Sequence, residues 1–333
     1  MDGSALVAAL PRPQRLPDRD QANRGDGQTV GLSRLPASDR ERVQRLYAEL
    51  VALQELTDAH AGNPERSFEV LSGIEEARVA ALFADAHQLG ADLPRDDLEC
   101  RKAIHDVRGG SLAAVLTHLD LIHERIAGPV DAERVHLLLR DHLKMMRNAL
   151  FDLDPERYSA DLLDRHHGME LLREKWTKTQ YPVGGQSITV QLESAFHGVV
   201  SERCMEFSSL DRVLYNLVNN AGRFAADQRV LVRADAVDDA ADTNLRFAVI
   251  NRVTEAQVGA LTERFGDALG QVYEGGFTTG GHGLGLRICA DLVRHAYSMI
   301  SVNKTIAQHI IGARVVDGHY VAWFHWPARR AAT

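Results

Sequence analysis

Three stretches of the chain carry side chains whose types and spacing can do chemistry. In AIHDVRGGSLAAVL, His105 is followed directly by Asp106, with Arg108 close behind and Gly109-Gly110 next. An imidazole is a neutral nucleophile, and an adjacent carboxylate can orient it or take its proton. Two glycines inside a helical pattern cost roughly 1 kcal/mol each relative to alanine. That cost points to a kink or to a surface kept open beside the histidine. In LDRVLYNLVNNAGRFAAD, Asn216 and Asn220 stand four apart on one helical face, with Arg223 and Phe224 one turn on. Amide oxygens suit a hard cation such as Mg2+, a guanidinium suits phosphate, and a phenyl ring can pack on a base. In GGFTTGGHGLGLRI, six glycines surround Thr278 and Thr279, and Gly281, Gly283, Leu284 and Gly285 lead into a helix. Glycine-rich turns into helix N-termini offer backbone N–H groups to anions. Each stretch also has a plain structural reading: a packed seam histidine, an asparagine pair that caps or solvates a helix, and a loop without a role.

The elements that must position these groups follow from periodicity. Residues 1–36 mix Pro, Gly, Arg, Asp and Gln without period and read as a disordered leader. Residues 37–92 read as a helical input or dimerisation segment, with Leu46, Leu50, Leu53 and Leu56 at helical spacing and a second helix ending at Gly90. Residues 93–155 read as a hairpin of two long helices turning at Gly128-Pro129. Leu112, Val115, Leu119, Ile122 and Ile126 form one seam, and Val135, Leu138, His142, Met145 and Ala149 the other. A lone hairpin buries one stripe per helix, so two hairpins from two chains are expected to pair as a dimeric antiparallel four-helix bundle. Residues 156–330 read as an α/β domain: one helix over ADLLDRHHGMELLREKW, strands at SITVQLES, 197–201, VLVRADAV and NLRFAVI, two helices, and two final strands ending VAWFHWP.

Composition narrows the setting. With 38 Lys+Arg against 46 Asp+Glu, the net charge of -8 argues against nucleic-acid binding. Cys100, Cys204 and Cys289 are far apart and form no CxxC, so neither a disulfide framework nor a zinc site is expected, consistent with a reducing cytoplasm. No apolar run reaches the roughly 20 residues of a spanning helix, and no membrane insertion is expected.

Taken in order, the three stretches resemble the two-component sensor histidine kinases over roughly residues 95–327. His105-Asp106 resembles the phosphoacceptor H-box, NLVNNAGRF the N-box, and EGGFTTGGHGLGLRICADLV the lid and G2 box of the GHKL (Bergerat) ATPase fold. The resemblance implies an α+β multidomain protein in which His105 takes the γ-phosphoryl group of ATP with Asp106 as polarising base. It places Asn216, Asn220, Arg223, Phe224, Thr278, Thr279, Gly281, Gly283, Leu284 and Gly285 at the nucleotide, with Asn220 on Mg2+. It also implies a homodimer and the receiver domain of a separate response regulator as partners. Two departures stand out. Asn251 and Val253 occupy positions where the family's G1 box has Asp and Gly, and Gly109 stands where kinases with phosphatase activity carry Thr or Asn. The first leaves two readings open, an autokinase or a histidine phosphotransfer protein whose GHKL-like domain no longer binds ATP. The second implies weak or absent phosphatase activity.

Overall fold

The structure is a computed structural model that describes residues 3–14, 16, 29–177, 179–183, 186–275 and 284–331. The chain divides into two compact units, residues 28–162 and residues 1–27 with 163–333.

The helical unit contains α2 (Ala37–Asp58), α3 (Pro64–Ser72), α4 (Glu76–Gln88), α5 (Leu98–Val107), α6 (Gly110–His123), α7 (Pro129–Ala149) and α8 (Pro155–Asp161). Side-chain caps start several of them: Asn63, Asp97 and Asp154 each accept from a backbone N–H three residues on. The helix expected over residues 96–127 is two helices. At Gly109 a Cβ would lie 2.9 Å from the Asp106 carbonyl oxygen, a contact no side chain tolerates without a shift. The chain breaks there and restarts as α6.

The hairpin of α6 and α7 forms, but its seam has partners within the same chain. α2 and α3 pack on α7, and α3 and α4 on α6. Leu112, Val115, Leu119, Ile122, Val135, Leu138, Met145 and Ala149 are all buried, together with Val43, Leu46, Leu50 and Leu53 of α2. Leu56 and Ile126, expected in the seams, are exposed. Within the single chain, the stripes from which a two-chain bundle was expected are covered by its own helices.

The second unit holds α1 (Gly3–Ala8), β1 (Asp164–Gly168), α9 (Met169–Trp176), β2 (Thr179–Val183), β3 (Gln186–Glu193), β4 (Gly198–Arg203), α10 (Cys204–Phe224), β5 (Arg229–Ala236), β6 (Asp242–Arg252), α11 (Glu255–Phe265), α12 (Gly285–Ala296), α13 (Val302–Ala307), β7 (Ile311–Val316) and β8 (His319–Arg330). One mixed sheet runs in the order β1-β4-β8-β6-β5-β3-β2, with β7 also paired to β8. β3 and β5 are parallel, and the other pairs are antiparallel. Side chains alternate between the two faces of a strand. Phe247 and Phe324, opposite each other in register, stack at 5.0 Å on one face. Their neighbours along the strands, Ala248 and Trp323, face the other side.

Two sequence expectations change here. Residues 164–168, expected inside a helix, form β1, which pairs with β4. Residues 3–14, expected in a disordered leader, are packed on the sheet: Leu6, Val7 and Leu10 are buried in one cluster with Ala248, Ile250, Val321 and Trp323. Polar contacts fix this segment. Arg246 donates to the Pro11 carbonyl at 2.9 Å, Arg314 to that of Ala9 at 3.2 Å, and the Gln14 N–H to that of Gln308 at 3.1 Å.

Candidate functional site

In the helical unit, His105 lies in the last turn of α5, ahead of the Gly109 break. Its side chain keeps 20% exposure while Asp106 keeps 2%. The two approach at 3.8 Å between Nδ1 and Oδ1, an ionic contact too long for a hydrogen bond. His105 Nδ1 is itself buried and has no hydrogen-bond partner among the described residues, so the accessible part of the ring lies away from it. Arg108 donates to the Leu89 carbonyl at 2.8 Å and ties α5 to the end of α4.

Behind the break lies a group that sequence reasoning treated only as seam. His142 of α7 is fully buried, and its Nδ1 is 2.8 Å from the Ser111 hydroxyl in the first turn of α6. Burial pushes this imidazole down to about 4, against the opposing pull of the Val107 carbonyl and the Asp106 carboxylate. It is therefore neutral at physiological pH and bridges to the restarted helix as an uncharged partner. The available signal was a polar residue at a position where the heptad asks for an apolar one.

In the second unit, α10 is buried along most of its length, and its partly exposed positions include Asn216, Asn220 and Phe224, with Arg223 exposed. That is the polar stripe expected of the N-box. The end of this helix meets the end of β6: the Ala226 N–H donates to the Arg252 carbonyl at 2.9 Å, and Gln257 donates to the Phe224 carbonyl at 3.4 Å. Asn251, on the last turn of strand before Arg252, is 2% exposed. Its amide Nδ2 donates to the Arg252 carbonyl at 3.3 Å, while its Oδ1 is buried with no hydrogen-bond partner among the described residues. A buried acceptor of this kind carries a cost of roughly 1–3 kcal/mol until a donor arrives. Val253, where the resembling family has glycine, is buried too.

The third stretch enters through α12. Leu284 precedes the helix and Gly285 opens it, as expected, and both are half-buried. Cys289, one turn further, has its thiol 3.7 Å from the Val213 carbonyl, itself one turn before Asn216. This contact packs the second turn of α12 on α10. Thr278, Thr279, Gly281 and Gly283 lie outside the described residues. Asn216, Asn220 and Phe224 thus lie on α10, Asn251 near the end of β6 where that strand meets the chain just after α10, and Leu284 and Gly285 at the start of α12, which packs on α10. His105 and Asp106 belong to the other unit.

Beneath the stripe sits a buried ion pair that the sequence did not reveal. Lys175 Nζ is 2.7 Å from Asp211, with side-chain exposures of 6% and 3%, and the ammonium lies 5.4 Å from the centre of the Tyr215 ring and 5.5 Å from that of Phe207. The pair locks α9 to α10 one turn before Asn216. Nothing in its spacing, 36 residues apart, announces it.

Residues 206–329 match the family of histidine kinase-, DNA gyrase B- and HSP90-like ATPases. This stretch is a GHKL ATPase domain. The match includes the expected N-box and the described part of the G2 box, and does not extend to the hairpin that carries His105. Among solved structures, the catalytic domain of histidine kinase ThkA is 19% identical over 41% of this chain and 77% of its own, with a TM-score of 0.26. Full-length ShkA in complex with AMPPNP is 16% identical over 78% of this chain and 47% of its own, with a TM-score of 0.31. The Acinetobacter baumannii histidine kinase AdeS is 11% identical over 68% and 98%, with a TM-score of 0.25. At such identity and superposition the three say nothing about activity here. No curated protein matches the sequence. Among the described residues no helix is long and apolar enough to cross a membrane, and no group of three or more His, Cys, Asp and Glu side chains is placed to hold a metal ion. Cys100, Cys204 and Cys289 are buried and form no disulfide with one another.

Proposed function

We propose that the chain is a histidine kinase that moves the γ-phosphoryl group of ATP to His105 and then to an aspartate of a separate response regulator. The observation that carries the reading is the unpartnered Asn251 Oδ1 beside the polar face of a GHKL domain. It is an acceptor waiting for a donor where an adenine amino group would sit.

The residues divide the work as follows. Asn251 accepts from the base, and Phe224 packs against it. Asn216 and Asn220 face the phosphates, with Arg223 supplying positive charge. The first turn of α12, at Gly285, presents backbone N–H groups to an anion. Asn220 is the residue that would hold Mg2+, which when bound neutralises phosphate charge. His105 attacks the γ-phosphorus. The P–N bond forms at a ring nitrogen as the bond to the leaving ADP oxygen breaks, and the ring proton is lost to base. Asp106, 3.8 Å from Nδ1, stabilises the positive charge that develops on the ring. The phosphoimidazole is then a donor suited to a carboxylate acceptor.

One feature favours a second reading, a phosphotransfer protein whose GHKL-like domain no longer binds ATP: buried Val253 stands where the resembling family keeps glycine against the base. Incubation with γ-labelled ATP and Mg2+ separates the two. Acid-labile, base-stable label that disappears in His105→Ala and in Asn220→Ala supports the kinase. No label from ATP, with label gained from a phosphorylated receiver domain, supports the relay. Label that survives His105→Ala sinks both.

A further inference from the structure

Residues 3–14 belong to the ATPase unit and cross the sheet face opposite Phe247 and Phe324. Their cluster spans four adjoining strands: Leu231 on β5, Ala248 and Ile250 on β6, Val321 and Trp323 on β8, and Val316 on β7. The backbone comes down hard on β5, where a Cβ at Gly3 would stand 2.6 Å from the Leu231 side chain. Arg246, which holds the Pro11 carbonyl, is itself fixed by its partner in register, His325. Arg246 Nε donates to His325 Nε2 at 3.2 Å, and His325 Nδ1 donates to the Ile310 carbonyl at 3.0 Å. Burial pushes this imidazole down to about 3, so it is neutral and free to accept at Nε2.

The segment lies directly behind the candidate base acceptor. Side chains alternate along a strand, so Ile250 faces the segment while Asn251, the next residue, faces the other side. The same holds across the ladder, where Val321 faces the segment and Tyr320 stands opposite Asn251 in register. Both backbone positions at this end of the β6–β8 pair are thus backed by a residue packed under the segment. Asn251 Oδ1, buried without a hydrogen-bond partner among the described residues, is of use only if it is well aimed, because hydrogen bonds weaken steeply with misalignment. A strand end with few packed side chains behind it opens locally at low cost.

The cover is also poised to respond. Ordering residues 3–14 costs backbone entropy of the same order as the free energy that burial of Leu6, Val7 and Leu10 returns. A modest change at the sheet therefore shifts how fully the segment is seated.

We infer that residues 3–14 are a positioning segment for the nucleotide base: packed under β6 and β8, they hold Asn251 where it accepts from a 6-amino group, and a bound base in turn tightens the segment on the sheet. The inference rests on the nucleotide reading above. The two effects are one coupling free energy seen from its two ends, so each must equal the other.

Calorimetry on the full chain tests it, comparing ADP with purine riboside diphosphate, whose base lacks the 6-amino group, both with Mg2+. Wild-type protein prefers ADP about tenfold. In Leu6→Asp that preference falls below about threefold, and in the milder Leu10→Ala it falls part-way, while affinity for the analogue holds. A segment that merely stabilised the unit would weaken both nucleotides alike; an ADP preference that survives in Leu6→Asp overturns the inference. Hydrogen exchange on the wild-type protein reads the other end of the coupling without any variant. Saturating ADP slows exchange at the Leu10 and Gln14 N–H groups, bonded to the Val7 and Gln308 carbonyls, by about tenfold, and the analogue does not. Equal exchange with and without ADP overturns the inference as well. Wild-type protein that binds neither nucleotide, or both equally, sinks the reading of Asn251 as base acceptor, and the inference falls with it.

Discussion

The fully buried His142 gives the helical unit a calculable response to acid. Its imidazole is held at about 4 by burial, while an unfolded histidine titrates near ~6.5. The folded value is the lower one, so the unfolded chain binds the proton more tightly. Stability from this group is complete above pH ~6.5 and falls as pH drops through ~6.5 toward 4, after which it is constant. The gap of roughly 2.5 pH units corresponds to about 3 kcal/mol, at about 1.4 kcal/mol per unit. About 2 kcal/mol of that is lost on going from pH 7 to pH 5. All three tryptophans, Trp176, Trp323 and Trp326, belong to the ATPase unit. Urea unfolding can therefore be followed by tryptophan fluorescence for that unit and by circular dichroism at 222 nm for the helices of both. Wild-type protein should show a helical transition that weakens by about 2 kcal/mol between pH 7 and pH 5. In His142→Gln, which cannot titrate, the helical transition should lose most of that pH dependence, with the fluorescence transition unaltered. If the variant keeps the wild-type slope, or if NMR finds His142 titrating near ~6.5 in the folded protein, the account of a neutral, buried imidazole beside the helix break is wrong.

Other perturbations follow from named contacts. Asp211→Asn leaves the Lys175 ammonium buried without its charge partner and should destabilise the ATPase unit by about 3–5 kcal/mol, read by the fluorescence transition; a loss under about 1 kcal/mol would mean the pair is solvated. Leu6→Asp places a carboxylate in the apolar cluster under Trp323 and should release the N-terminal segment, seen as rapid amide exchange over residues 3–10 together with a loss of about 2–3 kcal/mol in that unit; unchanged exchange would show that the segment is not held by this cluster. Asn251→Ala removes the unpartnered acceptor and should weaken ATP binding about tenfold, or ~1.4 kcal/mol. Equal affinity in calorimetry would take Asn251 out of the site.

The parts of the molecule that could be read in advance are those where one local signal dominates. The α10 stripe is legible because Asn216, Asn220 and Arg223 recur at spacings of four and three. Gly285 is legible because it opens a helix after a run of glycines. The break at Gly109 was foreshadowed by its cost inside a helix, though not that it would produce two separate helices. What escaped depends on partners remote in sequence. Asp164-Arg165-His166-His167 has no strand alternation and becomes β1 only because β4 offers an edge. α11 buries none of its residues, and only the short repeat of Val258, Leu261 and Phe265 marks it in the sequence. The first residues looked like leader because Pro, Arg and Gln surround them, yet Leu6, Val7 and Leu10 are spaced to meet a sheet face finished more than 300 residues later. The cover over the α6–α7 seam was missed for the same reason: a heptad shows that a stripe must be buried and is silent on which chain buries it.

That N-terminal segment has a consequence for biogenesis. Residues 3–10 are made more than 300 residues ahead of Val321 and Trp323, which receive them. In between, an entire helical unit is made that has its own core and can fold independently. The two distant pieces of this unit can therefore join only once Val321 and Trp323 have been made. Closing so long a loop adds little entropic cost for each further doubling in length, but such remote contacts form slowly. During that interval a strip of leucine and valine has no cover, which makes the nascent chain a candidate client for a chaperone long after its helices are complete.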